Sequence, residues 1–262
     1  MIMQDQSQPR PAVRLSFSRA RPRMVDVQIA RRGVRDKAVL KAMCSAPREA
    51  FVEPEFEEFA YEDRPLPIGE GQTISQPYIV ARMIEAAEVK PGERVLEVGA
   101  GSGYAAALLS RIAEQVYAIE RHRSLGEAAR DRWRKLGYDN INLRVGDGTR
   151  GWPEAAPFNA ILVSAGSPGV PQALMTQLVC GGRLVIPVDE SAGGQTLLKI
   201  TRQSETDYVK ESLEAVSFVP LVSEQGWPED GRGLVKRQVP GNSKATSWSG
   251  SLRQLFRRLW KR

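Results

Sequence analysis

A doubly wound α/β fold, with a Rossmann-like sheet and helices on both faces, is predicted by three observations. Residues 93–98, Glu-Arg-Val-Leu-Glu-Val, form a run of β-formers that breaks into a turn with glycines at 99, 101 and 103. Tyr104-Ala105-Ala106-Ala107-Leu108-Leu109 then reads as a helix, so strand, tight turn and helix start make the first unit of a nucleotide-binding βαβ fold. Further short apolar runs at 115–120, 140–145 and 158–166 follow as successive strands.

Composition bounds the rest. A chain of 262 residues, 42% apolar and 26% charged, suits one α/β domain with appendages. No apolar run reaches the length that spans a bilayer, and no signal-peptide core is present. Cys44 and Cys180 lie far apart without a Cys-x-x-Cys pattern, which fits reduced thiols in a cytoplasmic protein and points to no metal site. His122 is the single histidine, so a Ser-His triad or a histidine-based metal centre lacks its main residue. The net charge of +6 is uneven: residues 1–24 carry +4 and residues 231–262 carry +9, which leaves −7 for residues 25–230. Affinity for anionic partners therefore belongs to the ends, and no specific nucleic-acid partner is expected.

Residues 1–23 hold proline, serine and arginine with little apolar content and are expected to be a disordered basic extension. Helical patterning begins at Met24, with Val27, Ile29 and Ala30 before a break at Gly33. Asp36 reads as the N-cap of a helix over 37–43, and Pro47 opens another short helical segment. Pro77 opens a helix with Ile79, Val80, Met83, Ile84 and Ala87 on its buried side. Ser75 or Gln76 would cap it, which is the plain structural reading of Ser75.

The glycine spacing is one residue short of the G-x-G-x-x-G that seats a pyrophosphate on a helix start. Glu97, just ahead of the loop, would repel a phosphate and attract a cation. The pattern E-x-G-x-G-x-G after a strand resembles motif I of the S-adenosylmethionine-dependent methyltransferases, whose cofactor carries a sulfonium and no phosphate. A glycine-rich turn in any α/β protein is the plain alternative.

Upstream segments make the resemblance specific. Asp63-Arg64-Pro65-Leu66-Pro67-Ile68-Gly69 and Gly71-Gln72-Thr73-Ile74-Ser75-Gln76-Pro77 resemble the protein-L-isoaspartate O-methyltransferase family. Arg32-Gly33-Val34 and Pro47-Arg48-Glu49-Ala50-Phe51-Val52 match its N-terminal region, and the likeness covers residues 24–227. The resemblance implies a methyltransferase domain in which Glu97, Gly99, Gly101, Glu120, Asp147 and Gly148 hold S-adenosyl-L-methionine. Glu120 would accept hydrogen bonds from the ribose, Asp147 and Gly148 would lie beside the adenine, and Gln72, Thr73 and Ile74 would close over the cofactor beside Ser75. Val145 departs from a histidine common in the family, and Gly166-Ser167 stand where alanines and prolines are frequent.

The implied reaction is methyl esterification of the free carboxyl of L-isoaspartyl residues, and more weakly D-aspartyl residues, in damaged proteins and peptides. The ester then cyclises to a succinimide and reopens partly as normal aspartate. A peptide carboxylate, with a pKa of about 3.3–4.3, is already the nucleophile at neutral pH. No histidine base is needed, and the Ser75 hydroxyl is the candidate catalytic group that positions the acceptor.

A helix over 172–179 is expected to stop at Gly181-Gly182, with strands following at 183–188, 195–200 and 216–222. Residues 228–250 read as a linker, and 251–262 as a basic amphipathic helix with Leu252, Leu255, Phe256, Leu259 and Trp260 on one face. That helix suits either an anionic membrane surface, which would make the protein peripherally membrane-associated, or a protein surface. Two rival functions stand beside repair. One is a methyltransferase of the same fold retargeted to a biosynthetic peptide or another acceptor; the other is a non-catalytic interaction protein working through its tail.

Overall fold

The computed structural model describes residues 11–189 and 193–228. The expected amphipathic helix and all of the linker after Pro228 lie outside the described residues.

Helix α1 (Pro11–Met24) runs into a π-helical turn at Val25–Ile29 and a 3₁₀ turn at Ala30–Arg32. This corrects the expectation of disorder for residues 11–23; the expected extension over residues 1–10 lies outside the described residues. Phe17, Ala20 and Met24 recur at helical spacing and pack into the core, a stripe masked in the sequence by the surrounding arginines and prolines. Arg21 fixes the helix further, donating to Tyr61 Oη at 2.8 Å and pairing with Glu49 at 3.0 Å. Helix α2 (Lys37–Ser45) starts where expected, because the Asp36 carboxylate accepts from the N–H groups of Ala38 and Val39.

A hairpin of β1 (Leu66–Gly69) and β2 (Gln72–Ile74) follows, then α3 (Pro77–Ala86). The sequence signal for this hairpin was obscured by three prolines, yet its tip has the chemistry of a tight turn. Gly69, Glu70 and Gly71 all have positive φ. The main sheet then builds through β3 (Arg94–Val98), α4 (Tyr104–Leu109), β4 (Gln115–Glu120), α5 (Arg123–Leu136), β5 (Ile141–Val145) and β6 (Phe158–Val163). It continues with α6 (Gln172–Thr176), β7 (Leu178–Asp189), β8 (Gln195–Arg202) and β9 (Tyr208–Val216).

The seven strands lie in the order β5-β4-β3-β6-β7-β8-β9. The first five are parallel, and β8 and β9 close the sheet as an antiparallel meander. Alternate residues feed two cores, as a sheet covered on both faces requires. Val95, Ala118, Leu162 and Val185 pack with α1 to α5, while Leu96, Ile119, Ile161 and Leu184 pack with Leu174 of α6 and with Leu221.

Three boundaries differ from the sequence reading. Helix α6 ends at Thr176 instead of 179, and Gly181-Gly182 lie within β7 rather than stopping a helix. Phe158 opposite Leu178 draws the chain into the sheet early, with Phe158 N–H donating to Gln177 O at 2.8 Å. The last strand is Tyr208–Val216, a polar stretch that gave no apolar signal, and residues 217–222 contribute only isolated bridges.

Arg183 ties the sheet to the end of α3. Its guanidinium donates to the carbonyls of Ala87 and Glu88 and pairs with Glu93 at 3.1 Å, with little solvent access. Removing one partner of a buried pair leaves the other charge uncompensated, at a cost of about 3–5 kcal/mol. Arg183→Met should therefore lower the urea-unfolding free energy by about 3 kcal/mol. A loss under about 1 kcal/mol in equilibrium unfolding would show the pair to be a surface-grade interaction.

Candidate active site

The sheet reverses direction of growth at β3, whose neighbours β4 and β6 lead to opposite halves of the fold. Ligands in open α/β sheets bind outside the carboxyl ends of the strands at this switch point, and the cleft is there. It encloses about 460 Å³ of space open to solvent. Its lining brings together Thr73, Ile74 and Ser75 at the end of β2, Gly99 and Gly101 of the glycine loop, and Glu97 and Ser164 from the strand ends.

Gly99, Gly101 and Gly103 all have positive φ, which explains why the turn needs glycine. At Gly103 a second reason applies: an added Cβ would meet the Trp133 indole at 2.6 Å, and Trp133 Nε1 donates to Gly103 O at 2.9 Å. The loop is held from β4. Glu120 accepts from Gly101 N–H at 2.8 Å with one oxygen and from His122 N–H at 2.9 Å with the other.

Glu97 is the electrostatic feature of the cleft. It is 1% exposed. Burial pushes its pKa up to about 8; a hydrogen bond from Ser164 opposes the rise, the nearby Glu120 charge adds to it, and the Ala106 amide eases it. Ser164 Oγ donates to Oε1 at 3.3 Å, whereas Oε2 is buried without a hydrogen bond of good geometry. A buried acceptor of this kind calls for a donor or a cation. The residues thus fit a cofactor carrying ammonium and sulfonium groups.

Of the residues singled out in the sequence, Thr73, Ile74, Ser75, Glu97, Gly99 and Gly101 come together in the lining. Glu120 acts one layer behind, through the loop. Gln72 does not enter the lining; its side chain folds back to Glu70 O at 3.1 Å. Asp147 and Gly148 also lie off the lining. The Asp147 carboxylate accepts from Thr149 N–H and Oγ1 and from Glu224 N–H. Burial alone would raise its pKa, but those hydrogen bonds and the Arg150 charge hold it below the usual value. An added Cβ at Gly148 would meet Val98 Cγ1 at 2.3 Å, so the backbone there must sit directly on β3.

The lining also holds Ser164, Leu162 and Tyr104, which sequence reasoning missed. Ser164 had a usable signal, since it directly follows the strand that flanks the glycine-bearing strand in parallel. Ser75 is not the cap of α3. Gln76 occupies that position without a side-chain capping bond, its amide donating instead to Asp63 O at 3.1 Å, and no hydrogen bond to Ser75 Oγ is present among the described residues. Among the described residues, no group of three or more His, Cys, Asp or Glu side chains is arranged to hold a metal, and no helix is long and apolar enough to cross a membrane.

The family described as Protein-L-isoaspartate(D-aspartate) O-methyltransferase matches residues 19–226. A protein-L-isoaspartate O-methyltransferase of Methylorubrum extorquens is 60% identical over 203 residues, covering 78% of this chain and 88% of its own. Protein-L-isoaspartate O-methyltransferase 2 of Pelobacter propionicus is 57% identical over 204 residues, covering 78% and 91%. A solved protein-L-isoaspartate O-methyltransferase superposes with a TM-score of 0.71 at 30% identity, over 79% of this chain and 67% of its own. A beta-aspartate methyltransferase structure from Plasmodium falciparum, in complex with S-adenosyl-L-homocysteine, gives 0.66 at 27% identity, over 76% and 96%.

The raised pKa of Glu97 has a consequence for binding. Burial favours the neutral carboxyl, so its contribution to stability is full below the ordinary carboxylate pKa and is lost as pH rises through about 8. A cationic cofactor favours the ionised form and must displace the proton below that pH. Calorimetry should show S-adenosylmethionine affinity falling up to about tenfold per pH unit below pH 8. Glu97→Gln should weaken binding and flatten that dependence; a wild-type pH profile in this variant would remove Glu97 from cofactor binding.

Proposed function

Because this chain belongs to the protein-L-isoaspartate(D-aspartate) O-methyltransferase family, we propose that it methylates the free carboxyl of L-isoaspartyl residues, and more weakly D-aspartyl residues, in damaged proteins and peptides. The observation that carries this reading is the joint placement of Glu97, suited to a cation, and the unengaged Ser75 hydroxyl on one cleft. S-adenosylmethionine supplies an electrophilic methyl group on a sulfonium. The chain has to place an acceptor beside it and keep water out.

Glu97 holds the positive end of the cofactor, with Ser164 keeping the carboxylate in place. Gly99 and Gly101 let the backbone approach closely, and Glu120 takes the ribose side while bracing Gly101. Asp147 and Gly148 shape the adenine side through the backbone they fix. Thr73 and Ile74 cover the cofactor, and Gln72 stiffens the hairpin tip beside them.

The acceptor carboxylate arrives ionised and is its own nucleophile. Ser75 donates one hydrogen bond to it and fixes its direction of attack. A neutral donor suits this task, because a full positive charge would blunt the nucleophile. The methyl ester then closes to a succinimide without further help from the enzyme, and reopening yields normal aspartate in part.

The basic segment 251–262 has a separate role in this reading, docking the enzyme on an anionic membrane or on a protein surface. Removal of residues 229–262 should leave peptide methylation unchanged. Loss of sedimentation with anionic vesicles in that truncation would identify the surface as lipid, and absence of vesicle binding by the full chain would identify it as protein.

One peptide synthesised with L-isoaspartate or with normal aspartate tests the main reading. Base-labile methyl ester should form on the isoaspartyl peptide alone. Cofactor binding without transfer to either peptide would move the acceptor to another class, such as a biosynthetic peptide. Ser75→Ala should lower kcat about 10- to 100-fold, the scale of one lost positioning donor, with cofactor affinity retained. An unchanged kcat would remove Ser75 from the chemistry.

A further inference from the structure

We infer that Arg48 is a positioning residue for methyl transfer: its buried guanidinium holds the Ser75 main chain so that the Ser75 hydroxyl is left free for the acceptor. This rests on the role of Ser75 proposed above. Arg48 is fully buried. Its Nη2 donates to Ser75 O at 2.8 Å and its Nε to Ala60 O at 2.8 Å, so one rigid fork ties both approaches to the β1–β2 hairpin. Its Cζ also lies 4.9 Å from the centre of the ring of Tyr104, another residue of the cleft lining.

The electrostatics show that this is more than a stitch. No carboxylate lies within ion-pair distance of Arg48 among the described residues; the Tyr104 side chain is the main group supporting its charge, and Nη1 makes no hydrogen bond of good geometry. Asp63 acts on it only at longer range, being paired with Arg32. Burial disfavours the charged guanidinium, whereas a neutral side chain could join two carbonyls without that cost. A planar, permanently charged fork gives instead a fixed geometry at Ser75 O. With its carbonyl so held, Ser75 precedes α3 without capping it, and its side chain lines the cleft.

The mechanism predicts that Arg48 and Ser75 act as one unit, which a double-mutant cycle reads directly. Arg48→Lys retains the charge but not the fork; Arg48→Gln retains two N–H donors without the charge. Each should bind S-adenosylhomocysteine within about twofold of wild type and lower kcat on the isoaspartyl peptide about tenfold, the scale of a small misplacement. In the Ser75→Ala background the same substitutions should change kcat less than about twofold.

Losses that multiply in the double variants would overturn the inference by showing that Arg48 acts independently of Ser75. Wild-type kcat in both single variants would also overturn it, while a lowered kcat in Ser75→Ala left the Ser75 reading intact. Loss of cofactor binding in both Arg48 variants would assign the guanidinium to the fold and overturn the inference as well. Full activity of Ser75→Ala would instead remove the premise itself.

Discussion

The Glu97 carboxylate is fixed in place by the sheet, and much of the cleft is arranged around that fact. β3 is paired on both sides, with Glu97 in register with Ala118 of β4 and Leu162 of β6. Its backbone therefore cannot move to bring the side chain into water. The carboxylate is left in a low-dielectric site with one long hydrogen bond from Ser164. The same strand end carries the glycine loop, whose N–H groups are largely engaged by Ile119 O and Glu120. The result is a cleft that ionises Glu97 only when a positive charge enters it and has little capacity to bind a phosphate, which is the opposite preference to that of a dinucleotide site.

The other half of the reaction is handled by geometry. An isoaspartyl carboxylate needs no deprotonation, and among the described residues the cleft lining contains no histidine, lysine or arginine. What distinguishes its walls is how firmly each is held from behind. Glu120 braces the glycine loop, and Arg48 braces Ser75. The hairpin tip is clasped to the start of α5 through Glu70, which accepts from Ser124 Oγ at 2.5 Å. Rigid support for a small number of contact groups is the usual route to catalysis by orientation.

Strand-forming residues with an unmistakable period were legible in the sequence, and so were the glycine turn and its acidic neighbour. β3, β4, β5 and β6 lie where their apolar runs placed them. The misses share a cause: elements whose stability comes from distant partners leave little local pattern. β9 is polar because it lies at the sheet edge, and α1 hides three core residues among arginines. Ser75 was ambiguous for a different reason. A serine before Pro77 reads as a cap by local rules, and only the buried Arg48, 27 residues earlier, accounts for another arrangement. Ser164 and Tyr104 needed the strand order before they could be assigned to the cleft.

The polar character of β9 has a bearing on what such an enzyme can safely touch. Its clients are proteins old enough to be damaged, many with segments loosened from their native pairing. An open sheet edge attracts loose strands, because its unpaired N–H and C=O groups accept any extended chain. β9 carries Lys210, Glu211 and Glu214 along that margin, with Arg82 bonded to Glu214. Charges along an edge raise the penalty for a strand that would dock there. The same charges that left β9 without an apolar signal in the sequence thus make this edge a poor template for an added strand.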